Sequence, residues 1–186
     1  MNKIGTQTIE TERLTLRRIT LDDCEFMYNN WTSDPLVTKY VTWETHSSIN
    51  DTEKYVESKI KRYEDDFCFD WIVVLKESNK PIGEIEAVNF SKTDSLVEMG
   101  DCYGSKYWNK GYATEALKAF IDYMFNKVGV NKIYARHIIN NSASGKVMLK
   151  AGMKYDGTLK GYAIDKNTKQ RTDVLYYSID KWQPCG

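Results

Sequence analysis

Histidine is scarce in this chain: His46 and His137 are the only two, and they stand far apart. That scarcity argues against a histidine-based metal centre. The four cysteines, Cys24, Cys68, Cys102 and Cys185, are scattered and form no C-x-x-C pair. Neither a zinc site nor a disulfide framework is therefore expected. An excess of charge of one sign is missing too, since 26 basic residues balance 26 acidic ones. Without a basic field to hold it, nucleic acid is not an expected partner. No run of about 18 apolar residues occurs, and the opening "MNKIGTQTIETERL" lacks the apolar core of a signal peptide. The expectation is a reduced, soluble, cytoplasmic protein with no metal and no membrane partner.

Only three prolines occur, and no repeat, low-complexity block or flexible linker divides the 186 residues. One domain over 1–186 is expected, long enough to bury a proper core. Hydrophobic residues at 41% and charged residues at 28% fit a globular chain rather than a disordered one. Thirteen tyrosines and five tryptophans supply core and groove lining.

Periodicity then divides the chain. "RLTLRRIT" alternates Leu14 and Leu16 and reads as a first strand, with Thr20 and Asp23 opening a helix behind it. Val56, Ile60 and Tyr63 share one face of a second helix that starts near Asn50. "FCFDWIVVLKE" and "PIGEIEAVNF" are strands joined by the turn "SNKP". "SLVEMGDCYGS" is a further strand, whose mid-strand Gly100 predicts a bulge or a close backbone approach. A helix over "GYATEALKAFIDYMFNKVG" is followed by strand "NKIYARHII" and helix "SASGKVMLKAG". The last two strands, "KYDGTLKGYAI" and "RTDVLYYSI", flank the turn "DKNT". The pattern predicts a mixed sheet flanked by helices, an α/β or α+β domain.

The stretch "WNKGYATEAL", Trp108 to Leu117, places Gly111 and Ala113 at a helix start. A helix N-terminus presents unpaired N–H groups and a positive partial charge, so it holds phosphate without needing a lysine. Small residues there let a diphosphate approach the backbone, and Lys110 adds charge. The G-K-[ST] ending of a nucleoside triphosphatase loop is absent, as is the full G-x-G-x-x-G of a dinucleotide site. A diphosphate held without metal remains.

About thirty residues on, "NNSASGKVMLKAGM" carries Asn141, Ser144, Lys150 and Gly152 on a short helix. The two segments together resemble the GNAT superfamily of acyl-CoA N-acyltransferases. The order strand, W-x-x-G-Y-A-T-E-A, helix, strand, N-x-x-S-x-x-V-x-x-K-x-G is most similar to its RimJ/RimL-type branch, as are "TERLTLRRIT" and "DVLYYSI". The resemblance implies that Trp108, Asn109, Lys110, Gly111, Tyr112 and Ala113 cradle the diphosphate of coenzyme A. It implies that Cys102 and Tyr103 pair with the pantetheine arm as a neighbouring strand would; the Asn141 amide is a candidate to bond the same arm, against the plainer reading of a residue that simply starts the helix. Lys146 is a further candidate for a coenzyme phosphate, against the plainer reading of a solvated lysine. Many members carry a tyrosine as general acid where this chain has Met148, which has no proton to give.

Amine acetylation needs a base and benefits from an acid at the leaving thiolate. Glu98, two residues from the expected bulge, is the first candidate base, against a plain solvated carboxylate. Glu84 and Glu86 share a face of the preceding strand and are its alternatives. The same resemblance implies Ser144 as donor to the thiolate, against the plainer reading of a first-turn capping residue. His137 reads as a core or surface residue. The expected activity is transfer of acetyl from acetyl-CoA to a primary amine, on a protein N-terminus or a small molecule, by direct attack in a ternary complex. The alternative is a catalytically silent acyl-CoA-binding sensor or scaffold. The chain is expected as a monomer or homodimer.

Overall fold

The computed structural model describes residues 1–181; Cys185 lies outside them. Eight strands form one sheet in the order β1-β2-β3-β4-β5-β6-β8-β7. The first pair is a short β1 (Ile9–Glu10), which the sequence pattern does not announce, and β2 (Leu14–Arg17). Three helices follow before the next strand: α1 (Cys24–Met27), α2 (Pro35–Thr38) and α3 (Ile49–Arg62). A capping box of Thr20 with Asp23 starts the first helical segment, in line with its spacing, and Ser48 with Asp51 starts α3. Then come β3 (Asp70–Leu75), β4 (Lys80–Ser91) and β5 (Leu96–Tyr103). The second half is α4 (Tyr112–Tyr123), β6 (Lys132–Ile138), α5 (Ser142–Lys150), β7 (Lys154–Ile164) and β8 (Arg171–Asp180). No helix among the described residues is long and apolar enough to cross a membrane.

The sheet is mixed, as expected, and mostly antiparallel; β5 and β6 form a parallel pair. It is sandwiched because β3 is apolar on both faces. Trp71, Val73 and Leu75 pack into the core beneath α4 and α5, while Ile72 and Val74 point into the core beneath α1–α3. β3 is buried along its whole length, which accounts for its unbroken apolar run.

Two features of β5 set the geometry of the sheet's centre. The expected bulge lies on its neighbour: the β4–β5 register steps from Ala87↔Met99 to Asn89↔Glu98, leaving Val88 of β4 as the extra residue. Gly100 makes room for it, since a Cβ there would sit 2.6 Å from Val88 Cγ2. The second feature is a wedge. β5 pairs with β6 only over Leu96–Glu98, opposite Lys132–Tyr134. Past Glu98, β5 continues along β4 while β6 continues along β8 to Ile138. The two strands part there.

Candidate active site

The loop between β5 and α4 is held from both sides. A 3₁₀ turn spans Ser105–Tyr107, with Ser105 Oγ donating to Asp34 Oδ2 at 2.8 Å. The Trp108 indole N–H donates to Tyr103 O at 2.7 Å, tying the loop to the strand end. From β2's side, Arg13 donates through Nη1 to Lys110 O at 3.0 Å and pairs with Glu115 at 2.7 Å. Its guanidinium lies 4.7 Å from the centre of the Tyr112 ring. Asn109 and Gly111 are both left-handed, with φ of 60° and 82°. The conformation favours glycine at 111, and a Cβ there would also crowd Arg13 Nη2 at 3.3 Å. The first bond into α4 runs from Glu115 N to Gly111 O at 3.0 Å. The amides of Tyr112, Ala113 and Thr114 therefore have no helix carbonyl to bond and face outwards with the helix dipole behind them.

These amides open on a cavity of about 400 Å³. One wall is the end of β5, with Cys102 and Tyr103; a second is the loop and first turn, with Trp108, Asn109, Gly111, Tyr112 and Ala113. α5 and its N-cap supply the third through Asn141, Ser144 and Lys146, and Val37 of α2 faces them together with Tyr40 and Val41 just after it. The structure thus brings most of the sequence candidates to one place. The Asn141 side chain caps nothing. Lys110 is apart from them: it is exposed, with Nζ 5.8 Å from the Tyr107 ring centre, and does not line the cavity.

Comparison with known proteins decides the family. The pattern of the acetyltransferase (GNAT) domain matches residues 13–154. The chain belongs to the acetyltransferase (GNAT) family. An uncharacterized N-acetyltransferase, p20, of Bacillus licheniformis is 28% identical over 180 residues, covering 97% of this chain and 99% of that one. A GNAT-family acetyltransferase structure from Bacillus anthracis is 30% identical, with a TM-score of 0.81 over 94% of this chain and 98% of the other. RimL, solved with coenzyme A, shares the fold at a TM-score of 0.84 and 14% identity, over 94% and 98% of the two chains. As a member, this protein is an acetyl-CoA-dependent N-acetyltransferase.

The carboxylates of this acetyltransferase sort differently from their expected roles. Glu98 lies on the part of β5 still paired with β6 and is not on the cavity wall. Its carboxylate accepts from Asn89 Nδ2 at 2.6 Å, Tyr134 Oη at 3.0 Å and Arg136 Nε at 2.7 Å. Such saturation suits a structural anchor better than a base. Glu84 and Glu86 point to the α3 side. Lys59 Nζ, itself buried, is 3.0 Å from Asp70, 3.0 Å from Glu86 and 3.5 Å from Glu84. Arg62 joins Glu86 at 3.1 Å, and Tyr55 Oη donates to Glu84 at 2.9 Å. The Cys102 thiol donates to Glu84 Oε1 at 3.3 Å, and burial first, then Glu84, hold that thiol well above its ordinary range. Cys102 is therefore a neutral wall residue.

Asp101 is not among the candidates named from the sequence. It stands on the cavity wall between Cys102 and Gly100, and no hydrogen bond or ion pair engages its carboxylate among the described residues. The signal that would find it is alternation: Val97, Met99 and Tyr103 form an apolar row, and Asp101 interrupts it. Met148 is buried in the core at 2% exposure and is absent from the cavity wall, so the position can contribute no acid there. His137 is buried too, stacked on Tyr177 with ring centres 5.5 Å apart.

Proposed function

We propose that this acetyltransferase moves an acetyl group from acetyl-CoA to a primary amine while both are bound. The free amides at the start of α4 would hold the diphosphate, and the unpaired edge of β5 from Met99 to Tyr103 would align the pantetheine arm. The observation that carries this reading is the wedge between β5 and β6 opening into the same cavity as the α4 N-terminus. A bound acetyl thioester supplies the electrophilic carbon. Ser144, on the first turn of α5 and facing the cavity, would donate a hydrogen bond to the departing thiolate. Trp108, Asn109 and Asn141 would position the coenzyme, with Lys146 and the outlying Lys110 adding charge at its phosphates. Each of these roles belongs to a backbone amide or a side chain of this chain, and none of them calls on a metal ion.

The acceptor would enter the same cavity, whose wall at Val37, Tyr40 and Val41 is apolar and aromatic. Proteins of this fold include RimL, which is an α-N-protein acetyltransferase of ribosomal L7/L12, and the Microcin C7 self-immunity acetyltransferase MccE, solved with acetyl-CoA and AMP. Protein N-termini and small amines are accordingly the two acceptor classes to try. Incubation with acetyl-CoA and a panel of both, following free thiol, tests the reading. Amine-dependent thiol release is expected. Tight binding of acetyl-CoA with no release for any amine would instead mark a silent acyl-CoA-binding domain.

A further inference from the structure

Along the α4–α5 face of β5 the side chains at 97, 99, 101 and 103 succeed one another, and three of them are Val, Met and Tyr packed in the core. The fourth is a carboxylate. Asp101 pairs across the sheet with Ile85, a fully buried core residue, so its own position is one that a hydrophobic side chain would ordinarily fill. It also lies three residues beyond Glu98, where the β5–β6 pairing stops, and so inside the wedge. A half-buried carboxylate without a cation or donor is costly to keep, and this one lines the cavity proposed for the thioester and amine.

We propose that Asp101 is the general base that takes a proton from the acceptor ammonium. This rests on the acetyl-transfer reading of the same cavity. The proton passes from the ammonium nitrogen to an Asp101 oxygen, directly or through one water, and leaves a lone pair on nitrogen. The C–N bond then forms as the C–S bond breaks, and the C–S electron pair goes to sulfur. The second nitrogen proton ends on that sulfur, and the proton on Asp101 is the one the net reaction releases to solvent.

The surroundings suit the task. Burial alone pushes the Asp101 carboxyl up to about 6, close to the working pH at which a base is most effective. On its own strand Cys102 and Tyr103 face the cavity, and burial holds both well above their ordinary values, so they stay protonated. From the other elements come Tyr40, Tyr107 and Tyr112, with Lys146 and Lys150 exposed on α5. None of these is bonded to Asp101. By contrast Glu84, Glu86 and Glu98 are each engaged by cations or donors already.

The test compares wild type with Asp101→Asn and Asp101→Glu, using two accepted amines of different basicity, from about pH 5.5 to 9.5. Asp101→Asn should lower turnover at neutral pH by about 10²–10⁴-fold, with acetyl-CoA affinity by calorimetry unchanged. Its rate should climb towards wild type as pH passes the amine's own pKa, and Asp101→Glu should recover part of the loss. In wild type, an acid limb near pH 6 should stay in place when the amine is exchanged. If Asp101→Asn fails to fold, Asp101→Glu carries the test, because changing that carboxyl should displace the limb. Retention of turnover by Asp101→Asn, or a loss matched by weaker acetyl-CoA binding, would overturn the role of Asp101. So would an acid limb that moves with the amine. Wild-type thiol release is the separate check on acetyl transfer: its absence overturns both readings, whereas release with an undiminished Asn variant overturns only this one.

Discussion

Gly111 combines two demands at one residue. Its φ of 82° suits glycine, and its outer face borders the amides of Tyr112 to Thr114. A left-handed conformation costs an ordinary L-residue about 1–2 kcal/mol, and a β-branched side chain would add methyl groups at the mouth of the cradle. Gly111→Val should weaken acetyl-CoA binding at least about tenfold, near 1.4 kcal/mol, as calorimetry would show. Glu98 makes the opposite case. Asn89, Tyr134 and Arg136 all donate to it, so neutralising it loosens three contacts at the last pairing of β5 with β6. Glu98→Gln should lower stability by about 1–3 kcal/mol and leave the turnover of folded protein little changed. Melting curves together with rates per folded molecule separate the two effects. An unchanged melting temperature with a rate about 10²-fold lower would restore Glu98 as the base.

Among the elements, α5 serves two masters through two faces. Asn141, Ser144 and Lys146 look into the cavity, while Met148 and Ala151 are buried in the core shared with α4. Met148 fills space on the core side and has no view of the chemistry. Met148→Leu nearly conserves volume and should cost less than about 1.5 kcal/mol, with turnover preserved. Denaturant unfolding and steady-state rates check both halves; a large fall in rate with normal stability would mean that this turn of α5 reaches the reactants. α4 shows the same economy. Ala116, Leu117 and Phe120 bury its inner face, and its N-terminus is left free for the cavity by the Arg13–Glu115 clamp beside it.

At the scale of the whole molecule, the helix layer of α1–α3 is tied to the sheet by buried charge. Among the described residues Asp70, Glu84 and Glu86 meet two cations, Lys59 and Arg62, so the cluster balances when one carboxyl keeps its proton. Burial raises Asp70 most; Lys59 opposes this, Glu86 and Glu84 reinforce it, and the carboxyl stands at about 7. Glu86 sits below its usual range, because Lys59 and Arg62 more than offset its burial. An acid whose folded value is raised stabilises the fold fully below its unfolded value, near 4, and loses that contribution as pH rises through about 7. Wild type should therefore lose melting temperature relative to Asp70→Asn progressively between about pH 4 and 7, and keep a constant difference above that. A difference between the two melting temperatures that stays constant over this range would show that Asp70 is ionised throughout.

Much of this protein is legible in one dimension. Alternation marks β2 and β8, the Thr20–Asp23 and Ser48–Asp51 spacings start helical segments, and Gly129 stops the helix begun at Tyr112 with a φ of 86°. The two glycine-containing motifs place the β5–α4 loop and α5, because a left-handed cap and a helix start are local properties that a few neighbouring residues decide. The bulge, the wedge and the base are different in kind. Gly100 signals an irregularity, but whether the extra residue lies on β5 or β4 depends on which strand is paired across from it. Glu98 and Asp101 are both acids on one strand, three residues apart and therefore on opposite faces. Local sequence says that they point apart; it does not say which face carries α4 and α5, nor where β6 leaves β5. Those are long-range pairings of Leu96–Glu98 with Lys132–Tyr134 and of β6 with β8. They bring Arg136 and Tyr134 to Glu98, and they leave Asp101 alone on the cavity wall.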